Sequence, residues 1–171
     1  MKLFYMIAVC LLVLMTSFGI KADNDDSVLD EFGITVKEKK KVAGERKNFD
    51  EYIKKARETC GFELKYTVDY RSFKEYLEKE KPPGRGYRDV LFYCRTMIDT
   101  IHRVCRDKDY RAAFKKKVEE VVCQYDPDAH GAALKREGPS AAIKKKKLVL
   151  GYLMRTGNIR KELTRWLHTN L

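Results

Sequence analysis

The chain has 171 residues and carries 36 Lys+Arg against 25 Asp+Glu, a formal net charge of +11. That length holds one ordinary domain and a short extra segment, and it excludes a multidomain enzyme or a long repeat array. A hydrophobic content of 44% with 11% aromatics suffices for a packed core and excludes a globally disordered, collagenous or low-complexity chain.

The first residues have the three-part layout of a secretory signal: Lys2, an apolar stretch from Leu3 to Met15, then Thr16, Ser17 and Gly19. The apolar stretch is shorter than the roughly 20 residues of a spanning helix. Cleavage is therefore expected near Ala22, giving a signal peptide over 1–22 and a secreted or periplasmic chain with no integral membrane span. Removing Lys2 and Lys21 leaves 34 − 25 = +9. Such a charge favours anionic partners without specifying one.

Residues 23–47 hold first acids (Asp23, Asp25, Asp26, Asp30, Glu31) and then bases (Lys37, Lys39, Lys40, Lys41, Arg46, Lys47), which reads as a flexible charged lead-in. Within it Phe32, Ile34 and Val36 alternate with Gly33 and Thr35 like a short edge strand. A single globular domain is expected over 48–171. It opens with Asn48 and Glu51 as a capping box, followed by Phe49, Tyr52, Ile53, Ala56 and Cys60 at helical spacing up to Gly61. Phe62, Leu64, Tyr66 and Val68 then alternate with polar residues, as in a half-buried strand.

A second helix is predicted from Tyr70 to Glu80, ended by the Pro82-Pro83-Gly84-Arg85-Gly86 loop. The strongest helix follows, with Tyr87, Val90, Leu91, Cys94, Met97, Ile98, Ile101, Val104 and Cys105 on one stripe. Another helix should begin at Asp109, and Val121 and Val122 favour a strand over 118–124. Leu148–Met154 reads as a buried strand, and Asn158 as the cap of a last helix burying Ile159, Leu163, Trp166 and Leu167. The sum is an α+β fold, with helices on a small, mainly antiparallel sheet.

Four cysteines follow the signal, Cys60, Cys94, Cys105 and Cys123, and an even number in an exported chain predicts two disulfides. Cys94 and Cys105 lie about 16 Å apart along one helix at 1.5 Å per residue, beyond the reach of a bridge. One long helix over 109–124 would favour 94 with 123, whereas a strand returning at 118–124 brings Cys123 toward Cys105; the preferred pairs are 60 with 94 and 105 with 123. A zinc site fails on spacing, since no C-x-x-C pair is present. No cofactor is called for.

The three histidines, His102, His130 and His168, form no recognisable catalytic pair, and G-x-S-x-G, H-E-x-x-H and phosphate-loop patterns are absent. Asp126, Asp128, His130, Gly131 and Glu137 occupy positions 1, 3, 5, 6 and 12 of a calcium-loop template, but His130 is a poor ligand for a hard cation and Pro139 would break the exiting helix. The bland reading of Asp126-Pro127-Asp128 is a turn. The lysine runs 115–117 and Lys144, Lys145, Lys146, Lys147 read either as a polyanion patch or as charged gatekeepers flanking β-prone segments. No specific nucleic-acid signature accompanies them. The expected function is an exported basic binding module for a protein or an anionic polymer or surface. The alternative is a small secreted hydrolase of nuclease type, using His102 or His130.

Overall fold

The structure is a computed structural model and describes residues 27–80, 86–126, 140–152 and 158–171. Its elements run α1 (Ser27–Glu31), α2 (Val36–Cys60), β1 (Lys65–Val68), α3 (Tyr70–Glu80), α4 (Tyr87–Val104), α5 (Lys108–Lys117), β2 (Glu120–Tyr125), β3 (Ser140–Lys144), β4 (Lys147–Tyr152) and α6 (Ile159–Asn170). Helices pack on a four-stranded sheet, an α+β fold as expected. The sheet order is β1-β2-β4-β3. It is mixed rather than mainly antiparallel: β1 with β2 and β2 with β4 are parallel, and β3 with β4 is antiparallel. The parallel β1–β2 pairing follows from the helical connection, because α3–α5 carry the chain back before β2 begins.

The N-terminal helix is longer than the capping box at Asn48 implied. Thr35 is the cap, its hydroxyl accepting from the Glu38 amide at 3.2 Å, and α2 then runs 25 residues to Gly61, whose φ of 72° ends it. Nothing between Val36 and Asn48 breaks a helix, since Lys and Glu favour one and a single Gly44 is tolerated. Val42, Glu45, Phe49, Ile53, Ala56 and Cys60 form the buried stripe. The stretch read as a lead-in thus carries α1 and three turns of α2, and it buries Leu29 and Val42 in the same core as the later helices. The edge strand at 32–36 does not form. Gly33, at φ 63°, ends α1, and Phe32 packs its ring 5.5 Å from that of Tyr87.

Helix α4 buries its whole predicted stripe. It lies beside α2 in the same direction, as the Glu45–Arg95 ion pair and the bridge between their C-terminal ends, Cys60–Cys105, require. The second bridge is Cys94–Cys123. The expected pairing, 60 with 94 and 105 with 123, is therefore corrected. Cys123 lies at the fourth position of β2 and meets the middle of α4 at Cys94, which leaves Cys105, at the C-terminal end of that helix, to the end of α2. All four cysteines are buried.

One face of the sheet, with Tyr66, Val68, Val121, Cys123, Leu148 and Leu150, is buried against the helices. The alternate residues Thr67, Val122, Val149 and Ala142 stay partly exposed on the other face. The Tyr66 hydroxyl is buried with no hydrogen-bond partner among the described residues, and burial drives its pKa far above the usual phenol range, against the opposing charge of Arg57. Tyr66→Phe is expected to raise the unfolding free energy by about 1 kcal/mol, because it removes a desolvated polar group without opening a cavity. Urea denaturation of the two forms measures this, and a loss of stability would show that the hydroxyl is held.

Candidate basic surface at the sheet end

The N-terminal end of the parallel strands gathers the two lysine runs. Strand β3 ends at Lys144, Lys145 and Lys146 form a two-residue turn, and β4 starts at Lys147. Beside them, the Glu119 amide donates to the Lys146 carbonyl at 2.8 Å, and the Lys65 amide donates to the Glu119 carbonyl at 3.1 Å. Helix α5 delivers Lys115, Lys116 and Lys117 immediately before β2, where cations also suit the negative end of a helix. Eight exposed lysines (65, 115–117, 144–147) thus meet Glu119 and Glu120, and 8 − 2 = +6.

The acids fix part of this cluster and leave part of it open. Lys147 pairs with Glu120 at 2.7 Å, Lys146 pairs with Glu119, and Lys117 donates to the Asn170 carbonyl at the end of α6 at 2.7 Å. Burial opposes ionisation of Glu120, but hydrogen bonds from Lys147 and Thr67 and the charges of Lys147 and Lys65 outweigh it and hold its pKa below the usual value. Lys144, Lys145, Lys115 and Lys116 have no acidic partner within ion-pair distance among the described residues. The sheet register sets Lys65, Glu120, Lys147 and Lys144 in one row across four strands.

The turn itself is unfavourable. Lys145 and Lys146 both lie in the left-handed region, at φ 48° and 63°, the geometry of a tight hairpin turn that Asn-Gly satisfies and lysine does not. A side chain in that region costs roughly 1 kcal/mol per residue. Replacing Lys145-Lys146 by Asn-Gly should therefore raise the unfolding free energy by about 1 to 2 kcal/mol, the lost Lys146–Glu119 pair being a weak surface bridge. A thermal melt reads this, and an unchanged midpoint would refute the strain.

The other sequence candidates are dispersed. Asp126 follows β2, and its carboxylate accepts from the Ser140 hydroxyl across the sheet; Gly151 is required there, because a Cβ would lie 2.5 Å from Asp126 Cβ. Asp128 and Glu137, which complete the calcium-loop pattern, lie outside the described residues, as do His130 and the signal segment. Among the described residues no group of three potential ligands could hold a metal. His168 stacks on Tyr110 with centroids 4.3 Å apart. His102 lies 3.9 Å from Asp99, which sequence reasoning did not single out. Asp99 is buried on α4, and its Oδ2 accepts from Arg103 Nε at 3.0 Å and from Arg160 Nη2 of α6 at 2.8 Å. This carboxylate clamps α6 to α4. Burial and the charges of Arg106 and Arg103 lower the His102 pKa, with Asp99 a partial offset.

Comparison with protein families, characterised proteins and solved structures finds no match to the chain. The two bridges belong to an oxidising, extracellular type of compartment. Among the described residues no helix is long and apolar enough to cross a membrane.

Proposed function

We propose that this chain is an exported basic binding module that holds an anionic polymer or surface at the lysine-rich end of its sheet. The observation that carries the reading is that the end of α5, with residues 115–117, leads through Glu119 to the 144–147 hairpin, remote in sequence, whose turn accepts backbone strain to present lysine. A rigid sheet end fixes the backbone positions of these lysines, so less backbone entropy is lost on binding than with a mobile basic tail.

A column of immobilised sulfated polysaccharide tests it. The oxidised chain should elute at substantially higher salt than a variant with Lys144, Lys145, Lys146 and Lys147 all changed to Gln. A control removes the same charge from α2, at the exposed Lys37, Lys40, Lys47 and Lys54. Its elution should shift much less. Equal shifts in the two variants would mean that net charge alone is read, and the site would be lost.

A further inference from the structure

Independently of the lysine hairpin, the α2–α4 seam carries a second constructed surface. Phe92 is 42% exposed on α4, a helix that otherwise forms the centre of the core. Its ring is held by an ordered stack: the Arg95 guanidinium lies 5.1 Å from the Phe92 centroid and 5.2 Å from that of Tyr52, and Lys55 lies 5.1 Å from the Tyr52 ring. Glu45, itself 8% exposed, fixes Arg95 by an ion pair of 2.7 Å. The Tyr93 ring meets the Phe92 ring edge-on at 5.6 Å. Phe92 is therefore locked in place on the protein side while much of its ring faces solvent.

Exposed cations flank it. Arg88 lies one turn before Phe92 on α4, and Lys41 lies on α2 between Glu38 and Glu45, both of which reach α4; Arg88, Lys41 and Lys55 are all exposed. The acids on the seam are already engaged: Glu38 accepts from the Tyr87 amide at 3.4 Å, Glu45 holds Arg95, and Asp89 accepts from the Gly86 amide at 2.9 Å. An aromatic anchor packed on an arginine within a cationic rim is the composition of a protein-interface hot spot. Stacking of successive nucleic-acid bases needs a row of open rings. Tyr52 is covered by Arg95 and Lys55, and Tyr93 stands edge-on to Phe92, so the rings do not form a parallel row.

We propose that the α2–α4 seam docks an acidic segment of a partner protein, which sets one apolar side chain on the open side of Phe92. The test pans a display library of random dodecapeptides on the oxidised chain, with counter-selection on Phe92→Ala. Peptides combining acidic residues with an aromatic or large aliphatic residue should be enriched, and should bind Phe92→Ala and Lys41→Ala/Arg88→Ala at least about tenfold more weakly, the effect of losing a hot-spot contact. Circular dichroism checks that the variants fold; Phe92 is exposed, so its removal leaves the core intact. Enrichment of peptides without acids, binding to Phe92→Ala within about twofold of wild type, or a tight Phe92-dependent complex with single-stranded oligothymidine would each overturn the proposal.

Discussion

Changing Cys60 and Cys105 together to alanine is expected to lower the unfolding free energy by about 4 kcal/mol, and changing Cys94 and Cys123 by about 3.6 kcal/mol, from the chain entropy of the loops each bridge closes. The loops span 45 and 29 residues and interleave, since Cys94 lies inside the first and Cys105 inside the second. Both bridges meet on α4, one tying it to the end of α2 and the other to the centre of the sheet. The first double variant frees the helix pair at one end; the second releases the sheet from α4. With a typical reserve of 5 to 15 kcal/mol, either loss is a large share of the stability. Urea unfolding of the oxidised double variants measures both, and a loss under about 1 kcal/mol in either would show that its loop is not a constraint on the unfolded chain. Removing both bridges is expected to leave the chain unfolded at 37 °C.

Local signals located most helices and three of the four strands. Tyr70–Glu80 and the α4 stripe stand as read, because an uninterrupted apolar period and a Pro-Gly break are properties of neighbouring residues. The first half of α2 was hidden by its own charge: only Val42 and Glu45 are buried there, too few to reveal a stripe among lysines. Strand β3 was missed for a related reason, as Ser140, Ala141 and Ala142 are weak strand formers and Lys145-Lys146 replaces the Asn-Gly that would mark a hairpin. The cysteine pairing and the basic surface are non-local. Each depends on which way β2 runs and which strands flank it, and no residue near Cys123 or Lys147 encodes that. Phe92 was equally illegible, since exposure of a single aromatic on an apolar helix depends on where α2 comes to lie.

Asp99→Ala is the largest single-residue effect expected, a loss of about 3 kcal/mol, because two charge-assisted hydrogen bonds vanish together, one from Arg103 within α4 and one from Arg160 that joins α6 to α4. The half-exposed guanidinium groups of Arg103 and Arg160 can rehydrate, which keeps the loss at the lower end of that for breaking a buried pair. Its dependence on pH identifies the carboxylate. Burial alone would raise the Asp99 pKa, but the Arg103 hydrogen bond and the charges of Arg103 and Arg160 outweigh it and hold it below the ordinary value of 3.8. The native state therefore binds the Asp99 proton later than the unfolded chain does, so the contribution is complete above about pH 4 and is lost as pH falls through the native pKa. His102 adds a second window. Its native pKa lies below 6.5, so acidification below that value favours the unfolded chain until the native imidazole also protonates. Asp99 offsets part of that depression, and the alanine variant, lacking the offset, should lose more between about pH 6.5 and 5. The stability difference between wild type and Asp99→Ala should therefore widen slightly from pH 7 to 5.5 and shrink by pH 3. Urea midpoints at those three values trace the curve, and a difference independent of pH would assign the loss to packing and not to the carboxylate.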